Sequence, residues 1–208
     1  MESFIHSLVP FLAILNPFAL CLYLAGVMED LRRGEFIRVL AGACITSLLV
    51  FWVFSMVGQK VLTNWLGVHP EALRIFGGVI FFVVAYSYVT KGYRAAAMLR
   101  GSLDDLPAAI ALPFMIGAGT ITQSIVVGKT HGPMMALLII TAAVSACFAI
   151  VLAFKLIHDR TRGARERIFE RYVNILARVN GLLIGAISTD MVVTGLKGLW
   201  WNGGPSGL

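Results

Sequence analysis

The sequence predicts an all-α integral membrane protein with six transmembrane helices, arranged as two inverted three-helix repeats whose first and fourth helices are broken. Three observations predict it: long uncharged apolar runs, an uneven distribution of Lys and Arg among the connections, and helix-breaking residues at corresponding places in the two halves. Of the 208 residues, 58% are hydrophobic and only 13% are charged, far more apolar than a soluble domain.

Uncharged runs extend from Ser3 to Met28, Val39 to Gln59, Ile75 to Thr90, Leu106 to Gly128 and Thr130 to Phe154. A sixth, Val179 to Leu196, is interrupted by Asp190 alone. About 20 apolar residues cross the hydrocarbon core, so most of these runs suffice. The third is short and reaches spanning length if its helix begins near Glu71 and Arg74 snorkels to the interface. The first run carries Glu2 rather than an early Lys or Arg and leads into Glu29-Asp30 without a small-residue cleavage site. It is expected to remain as a span rather than be removed as a signal peptide.

The formal charge of +6 comes from residues beside the spans, a placement that matches membrane topology and contact with the lipid bilayer, not nucleic acid. One set of connections holds Arg32, Arg33 and Arg38, then Lys91, Arg94 and Arg100, then Lys155, Arg160, Arg162, Arg165, Arg167 and Arg171. The opposite set holds only Lys60, Arg74, Lys129 and Lys197. The positive-inside rule puts the richer set in the cytoplasm and both termini outside, with Trp65, Trp200 and Trp201 at the outer interface. The run from Lys155 to Arg171 reads as a solvated amphipathic connector.

Arg74-Ile75-Phe76-Gly77 and Arg178-Val179-Asn180-Gly181 each precede an apolar helix, and the same spacing carries Asn16 to Thr120, directly after Gly117-Ala118-Gly119. An odd number of spans per half inverts the second half relative to the first. The halves are expected at 1–90 and 106–208. A cytoplasmic linker over 91–105 joins them, and Gly101, Asp104-Asp105 and Pro107 mark a helix stop and restart there.

Backbone groups inside lipid need partners, so a break at membrane depth persists where it is buried in protein or lines a cavity. Corresponding breaks in two halves point to a transporter's binding site. The candidate contacts for a small-molecule substrate are Asn16, Pro17 and Phe18 at the first break, and Gly117, Ala118, Gly119, Thr120 and Gln123 at the second. Paired half-helix ends offer amides to a carboxylate and carbonyls to an ammonium, which suits a zwitterion. The plainer alternatives are a kink satisfied by its neighbours and a small-residue packing face.

Asp190 is the only acidic residue deep in a span. Its default reading is an interior-facing group coupled to a proton or sodium ion, and the alternative is a hydrated residue near the outer interface. Gly77-Gly78 and Gly181-x-x-x-Gly185 read as close-packing sites. Cys21, Cys44 and Cys147 have no C-x-x-C spacing, and His6, His69, His131 and His158 form no cluster, so packing thiols and ordinary imidazoles are expected, with no metal and no cofactor. No catalytic residues are assigned, since there is neither G-x-S-x-G nor a second membrane aspartate.

At these residues the chain resembles the MarC family of small bacterial and archaeal inner-membrane proteins, over nearly its full length. The matching stretches are Leu15-Asn16-Pro17-Phe18, Arg74-Ile75-Phe76-Gly77-Gly78, Pro107-Ala108-Ala109-Ile110-Ala111-Leu112-Pro113, Gly117-Ala118-Gly119-Thr120-Ile121-Thr122 and Arg178-Val179-Asn180-Gly181-Leu182-Leu183. The resemblance implies a neutral amino-acid transporter. It departs from the family pattern at Ala19, where Gly is usual, at Ala118, where Pro is usual, and at Asp190, where a neutral amide is usual. An alternating-access transporter is therefore expected, with a non-transporting membrane scaffold and an intramembrane enzyme as the competing classes. Nothing in the pattern specifies an oligomeric state.

Overall fold

In a membrane the backbone finds hydrogen-bond partners only within the protein, so apolar segments of this length fold as helices. The computed structural model describes residues 2–92, 115–161 and 166–202, which contain helices and no strand. They are α1 (Glu2–Leu15), α2 (Pro17–Asp30), α3 (Arg33–Lys60, continued by a π-helical turn Val61–Trp65), α4 (Pro70–Lys91), α5 (Ala118–Thr161) and α6 (Glu166–Asn202). Five stretches are long and apolar enough to cross a bilayer: Phe4–Ala25, Arg33–Trp65, Pro70–Lys91, Ala118–Arg160 and Asn174–Trp200. The short third run gains its length as expected, because Pro70 starts α4 at a position where the missing N–H costs nothing. Beyond Gly92, the expected linker over 91–105 and the Pro107–Pro113 stretch lie outside the described residues.

The fourth stretch has 43 residues, about twice what the hydrocarbon core accommodates. It doubles back. Gly132 has φ 72° and ψ 170°, a conformation all but reserved for glycine, and Pro133 starts the next helical arm. The arm 118–131 begins beside Ile14, against which Gly119 packs, and ends at the start of α1, where His131 Nε2 and Ser7 Oγ lie 2.7 Å apart. The arm 133–161 then returns to the far end of α2, where Lys155 meets Met28 and Leu31. The turn falls at Gly132-Pro133 rather than at Lys129, the charge that separates the two apolar runs.

Glycines set the helix contacts. A Cβ at Gly78 would lie 2.7 Å from Val192 Cγ2, one at Gly181 2.9 Å from Tyr88 Cβ, and one at Gly195 2.6 Å from Ile75 Cγ1, so α4 and α6 pack antiparallel with backbones in close approach. A Cβ at Gly128 would fall on the Ser55 carbonyl, which fixes α5 against α3. Phe11 and Phe51 meet edge to face at 5.5 Å in a core to which all six helices contribute. Cys21, Cys44 and Cys147 are buried free thiols within it.

Lys155 corrects one expectation. It does not open a solvated connector, because it is only 1% exposed and still helical. Its Nζ donates to the carbonyls of Met28 (2.6 Å) and Leu31 (3.2 Å) and pairs with Asp159 at 2.7 Å. A cation is favoured at a helix C-terminus, where the last carbonyls lack amide partners. Lys155 therefore caps α2 from the neighbouring helix.

Candidate functional site

Asn16 is the single non-glycine with positive φ among the described residues, at φ 46° and ψ 72°. Asparagine tolerates the left-handed region better than most residues, so the break forms there. Its amide donates to the Leu12 carbonyl at 2.9 Å, and its own carbonyl accepts from the Leu20 amide at 3.1 Å. The side-chain Oδ1 accepts from the Ala19 amide at 3.0 Å, and Pro17 at the first helical position has no N–H to satisfy. Asn16 thus both makes the break and caps the helix after it.

The second break is closed by the complementary device. The Gly117 carbonyl accepts from the Ile121 amide at 3.0 Å, and the Gly117 amide donates back to Thr120 Oγ1 at 2.9 Å. The Thr120 hydroxyl faces the carbonyls of Met115 (2.8 Å) and Gly117 (2.9 Å). At the first break the capping side chain reaches forward to the third helical amide, and at the second the third helical side chain reaches back to the cap amide. These are the two halves of a capping box.

The breaks meet in space. A Cβ on Gly119 would lie 3.2 Å from Ile14 Cγ2, 3.4 Å from Phe81 Cε2 and 2.9 Å from Met191 Cε, while one on Gly77 would lie 2.7 Å from the Gly119 amide nitrogen. Beside this junction is a cleft of about 150 Å³ lined by Ile14, Asn16, Ala19 and Leu20, by Ile80, Phe81 and Val84 of α4, and by Ile184 and Ile187 of α6. Asn16 is the one polar residue in its lining.

The structure therefore gathers only part of the expected site. Asn16 lines the cleft, Pro17 is buried beside it, and Phe18 is half exposed on another face. Gly117, Ala118 and Gly119 do not line the cleft; Ala118 and Gly119 pack against α4 and Gly119 also meets Met191 of α6, and Thr120 and Gln123 are buried, with the Thr120 hydroxyl committed to the cap. The small residues of the second break serve close packing there, since Gly77 leaves no space above the Gly119 amide.

Asp190 departs from the expected orientation. Its neighbours Ser188 and Met191 are buried against Gly78, but Asp190 lies on the opposite side of α6 and is exposed, turned away from the bundle interior. Helical register decides this: the face that packs on α4 carries residues 181, 184, 188, 191 and 195, and position 190 falls across the helix from it. Two residues outside the expected site lie one helical turn beyond the cleft's lining, Tyr88 after Val84 on α4 and Asn180 before Ile184 on α6. Tyr88 is fully buried and Asn180 is 5% exposed, and among the described residues Tyr88 Oη and Asn180 Nδ2 have no hydrogen-bond partner. The signal for Asn180 was an amide within an apolar helix; Tyr88 carried none. Among the described residues no group of three His, Cys, Asp or Glu is placed to hold a metal.

Comparison with known proteins agrees with a helical membrane protein. The chain is 26% identical over 205 residues to a UPF0056 membrane protein of Aquifex aeolicus, covering 94% of this chain and 93% of that one. It is 26% identical over 163 residues to the UPF0056 membrane protein YhcE of Escherichia coli, covering 73% and 72%, and 24% identical over 212 residues to YvbG of Bacillus subtilis, covering 96% and 97%. No solved structure matches the chain. The family model described as MarC family integral membrane protein matches residues 1–200, and the chain belongs to that family.

Proposed function

We propose that this protein is a secondary transporter of small neutral amino acids or similar small metabolites in the cytoplasmic membrane, working by alternating access at a site beside the two helix breaks. The observation that carries this reading is that the Asn16 and Gly117 breaks, far apart in sequence, meet beside a cleft lined by the apolar helices. A membrane protein maintains irregular backbone at membrane depth where it is buried or borders a cavity. The reading includes six crossings in two inverted halves. The reversal at Gly132 supports it, since it turns one long helix into two legs, and so do the matched caps and the antiparallel pairing of α4 with α6.

Because the cleft is apolar apart from Asn16, the substrate buries an apolar portion in it. Uptake of labelled neutral amino acids into proteoliposomes tests the proposal. The wild type should accumulate substrate, whereas a scaffold would give no uptake and an enzyme would give product without accumulation. Ala19 lines the cleft at 7% exposure, so Ala19→Leu should fill the cleft and reduce uptake at least tenfold in protein that still purifies as a single species. Unchanged uptake in Ala19→Leu would place the substrate elsewhere.

A further inference from the structure

We propose that Tyr88 and Asn180, with Tyr23 beside them, form a polar subsite at the deep end of the cleft that binds the carboxylate of a small, apolar-bodied substrate. The inference rests on the transporter reading and adds to it the end of the substrate that is recognised and the residues that recognise it.

Three helical stripes carry the argument. On α2 the cleft is lined by Asn16 and Leu20, on α4 by Phe81 and Val84, and on α6 by Ile187 and Ile184. Residues three or four apart share a helix face, so extending each stripe by one turn reaches Tyr23, Tyr88 and Asn180. The three stripes thus pass together from an apolar lining to a polar layer. Gly181 brings that layer together, since a Cβ there would lie 2.9 Å from Tyr88 Cβ and 3.1 Å from Val89 Cγ2, and its absence lets Tyr88 pack on the α6 backbone directly next to Asn180. Tyr23, 4% exposed, is an electrostatic neighbour of Tyr88.

The chemistry of this layer is one-sided. Tyr88 Oη and Asn180 Nδ2 are buried and unpaired among the described residues, and both can donate. A buried donor left unpaired forfeits the hydrogen bond it made with water in the unfolded chain, so such groups are retained where something else accepts from them. Two donors at the end of an apolar cleft fit an acceptor with two lone-pair-bearing oxygens attached to a hydrocarbon body. A carboxylate meets that description, and in a zwitterionic amino acid the ammonium supplies the counter-charge that burial would otherwise demand. Two turns of α2 away, Asn16 forms the other polar end of the cleft, and its Oδ1 is already engaged with Ala19. The substrate therefore meets Asn16 on entry and is held by Tyr88 and Asn180.

The test compares binding and uptake of one neutral apolar amino acid, its carboxamide and its decarboxylated amine in the wild type, Tyr88→Phe and Asn180→Leu. Tyr88→Phe removes only the hydroxyl and so leaves the packing intact. The wild type should bind the acid best and the amine at least tenfold more weakly. Each variant should lose about tenfold to a hundredfold in affinity for the acid, the expected loss of a hydrogen bond to a charged group, with amine binding unchanged. Variants that bind the acid as the wild type does would overturn the subsite, as would equal losses for acid and amine, which would mark a structural role. A wild type that binds the acid through Tyr88 and Asn180 but does not accumulate it would overturn the transporter reading and leave the subsite standing.

Discussion

At the level of single residues, two polar side chains in apolar helices have opposite fates, and position on the helix decides between them. Asn16 does two tasks that separate by substitution: it accepts a left-handed backbone and it caps α2. Asn16→Gly keeps the backbone freedom and loses the cap hydrogen bond, for a cost of a few tenths of a kcal/mol. Asn16→Ala loses both, for about 2 kcal/mol, the sum of a lost cap and a strained φ. Thermal unfolding in detergent should rank wild type, Gly and Ala in that order; an Ala variant as stable as the Gly variant would mean that the break relaxes into a continuous helix. Asp190 lies on the outward face of α6, at the depth of Gly78. A carboxylate at mid-span costs about 3 kcal/mol on insertion scales. Asp190→Asn should therefore raise stability in a bilayer while the response of uptake to imposed pH and sodium gradients stays as in the wild type. A weakened response would return Asp190 to the coupling role that its place in the sequence suggested.

At the level of whole helices, boundaries were legible wherever one residue type forced them. Asn16-Pro17 ended α1 because both residues disfavour a continuing helix, and Pro70 began α4. The turn at Gly132 was equally forced, and the Gly132-Pro133 dipeptide was its signal, but Lys129 drew the boundary because it is the charge nearest the gap between two apolar runs. Lys155 was illegible for a different reason. Its partners are the carbonyls of a helix more than 120 residues away, as the sequence separations of 127 and 124 show, and no local pattern encodes such a contact. The cap makes α2 and the second arm of α5 a mechanical unit. Lys155→Met leaves Asp159 without its cation and two carbonyls without a donor. The expected loss is about 3 kcal/mol, at the low end for breaking a buried pair because Asp159 keeps access to water at 30% exposure. Lys155→Met combined with Asp159→Leu should recover part of that loss, since it removes the stranded charge. If Lys155→Met unfolds at the wild-type temperature, the cap contributes nothing to stability.

At the level of the molecule, composition made the helical membrane fold legible, because apolar length and charge placement are properties of the chain alone. The site was half legible. The two breaks could be read from residues that disrupt helices, but which groups face the cleft depends on helix rotation and on close approach at Gly77, Gly119 and Gly181, which the packing of neighbouring helices determines. Thr120 therefore turned inward to cap its own helix, and Asn180, though it stands in the Arg178-Val179-Asn180-Gly181 pattern, was not read with Tyr88 as a site residue. Topology remains the property on which the proposed inverted repeat stands. The connection after α2 carries Arg32, Arg33 and Arg38, and Lys155 and Arg160 lie at the same end through the contact of Lys155 with Met28. The opposite end carries Lys60 and Lys129. By the positive-inside rule this arginine-rich end is expected to face the cytoplasm. Reporter fusions at Gly101 and Gly163 should then read cytoplasmic, and a fusion after Leu208 should read periplasmic. A cytoplasmic signal from the Leu208 fusion would require an odd number of crossings between an outside N-terminus and the end of the chain. Two three-helix halves would then be impossible, and the meeting of the two breaks would have to be explained without an inverted repeat.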